Sequence, residues 1–162
     1  MNIDDYVSGP AQLRTAVAGM TQEQLVARPI PGKWSSLEVI CHLADFEIVF
    51  ADRIKRVIAE YEPTLFGGDP TAFAARLAYH ERNADEELLL IALIRQQVAR
   101  ILRTLKPEDF QRRGIHSESG PITLDLLIER ITGHIPHHIR FVEEKKRALG
   151  LPNLNPSVSV VR

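Results

Sequence analysis

TGHIPHHIRF, residues 132–141, sets three histidines and a proline inside ten residues of otherwise apolar, helix-like sequence. Its flanks continue a helical stripe. Leu127, Ile131, His134, His138 and Phe141/Val142 follow one another at steps of four, three, four and three, the spacing of one helix face. His134 and His138 therefore stand at core positions, one turn apart on the same face. Buried imidazoles left without partners cost several kcal/mol, so hydrogen bonds or a bound ion must satisfy them. An i, i+4 histidine pair can turn two ring nitrogens onto one metal, as the two histidines of H-E-x-x-H do. His137 lies about 60° around the wheel from His134, which places it at the rim of that face. Pro136 removes a backbone donor and crowds the carbonyl at Thr132, so a kink is expected there.

This helix runs from about Thr123 to Leu149, with Gly150 and Pro152 to stop it. Three other long helices precede it. One is expected over about Pro10–Met20, with Pro10 in its first turn. A second starts at Ser35, where Ser35 and Glu38 form a capping box. A third is capped by Asn83 and runs to about Leu105. Short helices are expected at 21–25, from the Thr21/Gln24 capping box, and at 71–78. Strand signals are scarce, with only VSVVR near the C-terminus alternating, and KPEDFQRRGIHSESGP (106–121) reads as an aperiodic connection. This pattern predicts an all-α four-helix bundle with short connecting helices, one domain over residues 1–162.

The second long helix carries the stripe Ile40, Leu43, Glu47, Phe50, Ile54 and Val57/Ile58. Glu47 is a carboxylate in an apolar row. It is expected to pair with Arg53, to orient a histidine, or to serve as a general base. A metal held by His134 and His138 needs a third ligand, and the spacing leaves His42, His80 and His116 open. His42 has the advantage of a rigid helix, although it borders the main stripe. Asp45 reads as exposed, and Cys41 as a small buried residue. A ferritin-like di-iron site is excluded, because no histidine follows a glutamate by three residues.

Bulk properties exclude several classes. Over 162 residues the net charge is -1, which provides no footprint for nucleic acid or an acidic membrane. One cysteine allows neither an internal disulfide nor a cysteine zinc knuckle. The N-terminus lacks a signal-peptide pattern, and no apolar run approaches the roughly 20 residues of a membrane span. A cytoplasmic protein is expected.

Two stretches together resemble the DinB/YfiT-like metalloenzyme family. PGKWSSLEVICHLADFEIVFADRIKRV (31–57) is similar to its first motif and GHIPHHIRFV (133–142) to its second, in the same order and at a similar separation. The resemblance covers the chain from the first helix to about Leu149. It implies a bundle in which two helices supply three histidines to one divalent metal, zinc or nickel. Carried over by position, these are His42, His134 and His138. Glu47 and Arg53 match charged positions of the family's DxExxFxxR stretch, with Arg53 and His137 placed at the pocket. Pro136 departs from the family's usual non-proline residue. The resemblance further implies transfer of a low-molecular-weight thiol to a small electrophile. The alternatives are a metal-dependent hydrolase of an ester or amide, with Glu47 as base, and a non-catalytic metal-binding dimer. A small-molecule substrate and a homodimer are the expected partners.

Overall fold

The computed structural model describes residues 2–152; the VSVVR signal lies outside them. The helices are α1 (Ile3–Val17), α2 (Gln22–Val26), α3 (Ser36–Ala59), α4 (Pro70–Arg76), α5 (Ala84–Leu102) and α6 (Leu124–Ala148), with 3-10 turns at Tyr79–Glu81 and Pro107–Gln111. Their starts follow the expected chemistry. Ser35 Oγ accepts from Glu38 N at 3.1 Å while Glu38 Oε2 accepts from Ser35 N at 2.7 Å. The Thr21/Gln24 box closes in the same way. Asn83 Oδ1 accepts from Asp85 N and Glu86 N. Gly150 takes φ +71° just past α6, the left-handed backbone that glycine adopts without a Cβ penalty.

The first helix begins earlier than its proline suggested. Asn2 caps it by accepting from Asp4 N at 2.9 Å, and Asp4 and Asp5 suit the positive end of the helix dipole. Pro10 is thus internal, and α1 survives it because another side chain serves the carbonyl that Pro10 cannot. α6 likewise runs through Pro136 without a break.

α3 packs on α5 and α6, and α1 packs on the same two helices, so α1 and α3 are diagonal. Two apolar clusters fill the bundle. One joins Leu13 and Val17 of α1, Leu37–Ala44 of α3, Leu88 and Ile91 of α5, and Ile135 and Val142 of α6. The other joins Tyr6, Ala51–Val57, Val98–Leu102 and Leu124–Ile131. Chain direction follows from this division. α1 and α6 run one way, α3 and α5 the other, and the long crossover from residue 60 to 83 makes α3 and α5 parallel neighbours.

Contrary to expectation, residues 113–123 are not aperiodic. β2 (Arg113–His116) pairs antiparallel with β3 (Gly120–Thr123) and parallel with β1 (Thr64–Leu65). The strands are short and contain Gly114, Gly120 and Pro121, residues depleted in strands, so no alternation announces them. Gly114 is needed there, since a Cβ would stand 2.8 Å from Leu65 Cδ1 and 3.0 Å from Val57 Cγ2. The sheet closes the end of the bundle built from the second cluster. No helix among the described residues is long and apolar enough to cross a membrane.

Candidate metal centre

His42 projects from the first half of α3, and His134 and His138 from α6, in the half of the bundle away from the sheet. The two helices are antiparallel neighbours, so these residues meet. Ring centroids are 5.0 Å apart for His42–His134, 4.7 Å for His42–His138 and 4.7 Å for His134–His138. One ring nitrogen from each lies within 4.8 Å of the others. His42 Nε2 and His134 Nε2 are 3.1 Å apart, either as a donor and acceptor or as two lone pairs facing one cation.

The electrostatics favour neutral rings. Burial lowers the His42 pKa to about 4. Burial, followed by the charge of the neighbouring histidines, lowers His134 and His138 each to about 3. Neutral imidazole is the form that binds a metal. The buried Nδ1 atoms of His42, His134 and His138 have no hydrogen-bond partner. At His42 and His134 these are the nitrogens opposite the facing Nε2 pair, so it is the convergence of neutral ring nitrogens that fits a cation, and imidazole donors suit zinc, copper, iron or nickel. Aromatic rings wall it. Trp34 is 5.2 Å and Phe46 4.6 Å from the His42 ring, Phe73 is 5.7 Å from Phe46, and Phe141 is 5.5 Å from His138.

The structure keeps the other expected residues apart from this cluster. His137 is exposed at the rim, edge-on to His138 at 5.1 Å, with its Nδ1 2.9 Å from Arg140 Nη2. Glu47 pairs with neither Arg53 nor a histidine. Its Oε1 accepts from the Tyr6 hydroxyl at 2.8 Å and its Oε2 from Arg95 Nε at 3.0 Å. Burial raises its pKa while Arg95 opposes the rise. Arg53 instead donates to the Phe66 carbonyl and lies over the Phe50 ring. Asp45 is not exposed: both its oxygens accept from Arg82 Nη1 at 3.0 Å. Cys41 is fully buried, its thiol pushed up to about 12 by desolvation.

Arg95, which sequence reasoning missed, ties all four long helices. Besides Glu47 of α3, it donates to the Tyr6 carbonyl of α1 and the Ile131 carbonyl of α6, both at 2.7 Å. The Tyr6 carbonyl is the one that Pro10 leaves without a helical donor. Gly9 gives the guanidinium its room, since a Cβ there would stand 2.3 Å from Arg95 Nη1. This polar layer separates the two apolar clusters. A signal existed, because Arg95 interrupts the α5 row Leu88, Ile91, Val98, Leu102 just as Glu47 interrupts that of α3.

A four-helix bundle whose α3 and α6 bring three neutral histidines together defines a class of candidate metalloproteins. The model of the DinB superfamily matches residues 6–142, and the chain belongs to that family. It is similar to an Oceanobacillus iheyensis protein named "Putative metal-dependent hydrolase", with 30% identity over 140 residues, 86% of this chain and 81% of that one. It is also similar to Bacillus subtilis YfiT, which carries the same designation, with 29% identity over 142 residues, 87% and 80% of the two chains. The solved structure of YfiT superposes with a TM-score of 0.86 at 28% identity, covering 93% of this chain and 86% of that one. That structure is described as "a probable metal-dependent hydrolase with an unusual four-helix bundle topology". A DinB-like protein of B. subtilis shares the fold at a TM-score of 0.63 and 17% identity.

Proposed function

We propose that His42, His134 and His138 hold one divalent metal ion and that the protein is a metal-dependent enzyme transferring a low-molecular-weight thiol to a small electrophile. The observation that carries the metal is the triad of neutral imidazoles, each of which turns one ring nitrogen to within 4.8 Å of the others. Three neutral ligands are the donor set of a catalytic site rather than a closed structural one. A divalent ion bound there supplies Lewis-acid chemistry, lowering the pKa of a thiol or water beside it.

The chain's own residues bear on which nucleophile is used. A hydrolysis that relies on a general base needs a group to take the proton of water, and no carboxylate belongs to the cluster. Glu47 is held by Tyr6 and Arg95 and is not among the groups that converge at the histidines. A thiol, with an ordinary pKa near 8.5, needs far less help than water. The aromatic walls, Trp34, Phe46, Phe73 and Phe141, exclude water and suit an apolar electrophile. The names of the relatives favour the second reading, a metal-dependent hydrolase of an ester or amide. Metal-loaded protein assayed with small thiols and a chromogenic electrophile, beside ester and amide panels, separates the two. Thiol-dependent turnover lost in His138→Ala is the expected result. Ester or amide cleavage without any thiol overturns the transferase reading in favour of the hydrolase.

A further inference from the structure

Two adjacent lysines of α6 are buried, Lys145 at 3% and Lys146 at 2% exposure. What holds them differs. Lys146 Nζ donates to the Ala16 carbonyl at 3.0 Å, in the last turn of α1, where a cation meets the negative end of the helix dipole. That is an ordinary structural role. Lys145 Nζ donates only to the Phe141 carbonyl, at 3.0 Å, which the α-helical pattern already assigns to the backbone N–H of Lys145 itself. It forms no ion pair among the described residues. The acids whose charge reaches it are Glu144 and Glu38, and Glu38 is taken up by Arg28 and the Ser35 N–H. Lys33 is close enough to repel it. Burying an ammonium without a counter-ion is costly.

Its position relative to the histidines accounts for this. Lys145 lies seven residues, two turns, beyond His138 on the same face of α6. Phe141 stands between them, its ring 5.5 Å from the His138 ring and 5.9 Å from Lys145 Nζ.

We propose that Lys145 anchors a carboxylate of the small molecule that binds at the three-histidine centre, so that the substrate or cosubstrate is an anionic compound whose charged end reaches past the Phe141 ring. This rests on the metal-centre reading above. It places Lys145 as a specificity-determining residue, with Lys33 adding positive charge nearby.

The test uses the full chain loaded with cobalt(II), whose absorption spectrum reports binding without any turnover. Two matched pairs of metal-binding probes are titrated: 3-mercaptopropionate against 2-mercaptoethanol, and the monohydroxamate of succinate against acetohydroxamate. The expected result is tighter binding of the carboxylate-bearing member by about tenfold, the size of one charged hydrogen bond. In Lys145→Met, which keeps the apolar stem, the preference should fall to near one while the neutral probe binds as before. Lys145→Arg should restore part of it. Equal affinities in the wild type, or a preference intact in Lys145→Met, overturn the anchor. A cobalt spectrum unchanged by His138→Ala, or no cobalt uptake at all, overturns the metal centre and the anchor with it. Selective hydroxamate binding with no sulfur-to-cobalt band overturns only the thiol reading and supports the anchor.

Discussion

At the scale of single residues, the three histidines are distinguished from His137 by what faces their ring nitrogens. His134→Ala and His138→Ala remove a converging nitrogen and should abolish metal binding, measured by elemental analysis after dialysis. His137→Ala should leave metal content unchanged, because its Nδ1 faces Arg140. The buried rings also set a pH dependence. In the folded chain their pKa values are held at about 4 for His42 and about 3 for His134 and His138, against about 6.5 when unfolded. Above pH 6.5 both states carry neutral rings and the histidines cost no stability. Below it the unfolded chain binds protons that the folded chain refuses, so stability falls with pH until the folded values are reached. Denaturant midpoints of the metal-free protein should decline between about pH 6.5 and 4, and the decline should shrink in the His134→Ala/His138→Ala double variant. A midpoint flat across that range would contradict burial of neutral rings.

At the scale of elements, a buried guanidinium of α5 bonds directly to the backbone of α1. Glycine inside a helix ordinarily gains about 1 kcal/mol when changed to alanine. Gly9→Ala should do the opposite. Its Cβ would collide with Arg95 Nη1, and that group is fixed by the Glu47, Tyr6 and Ile131 bonds in a fully buried place. A loss of about 1–3 kcal/mol is expected, the size of an overpacked core site. Arg95→Met should cost more, about 3–5 kcal/mol, by leaving the Glu47 carboxylate buried without its cation. Urea unfolding of the variants measures both, and a stabilised Gly9→Ala would show that Arg95 can move aside.

At the scale of the molecule, the histidine pair and its third partner come from helices far apart in the chain, so an ion that binds them staples α3 to α6. It should stabilise the fold as any ligand specific to the native state does, by about 2.7 kcal/mol at a free concentration one hundred times Kd. For a chain of this length that is a fall in Tm of several degrees on chelation at neutral pH. Calorimetry with and without a strong chelator measures it, and His138→Ala should erase the difference. Coincident wild-type curves, on protein first shown to contain metal, would separate binding from stability.

Most of the helices, and the histidine pair on one face of α6, are set by local sequence. Capping boxes at Thr21 and Ser35, the Asn83 cap and the glycine after α6 are local chemistry, decided within four residues of chain. So is the i, i+4 spacing that puts His134 and His138 on one face. The third histidine was legible only through the motif, because the helical wheel leaves His42 at the edge of its stripe, and it is the antiparallel packing of α3 on α6 that turns it inward. Tertiary structure alone decided the partner of Glu47. Arg53 is near in sequence, but Arg95 is 48 residues away, and only the packing of α5 between α1 and α3 brings its guanidinium to the carboxylate and to the carbonyl that Pro10 left bare. The small sheet belongs to the same category. Its strands are too short and too rich in glycine to show a period; β2 and β3 form a local hairpin, but β1 joins β2 through residues about fifty positions apart, which no local pattern records.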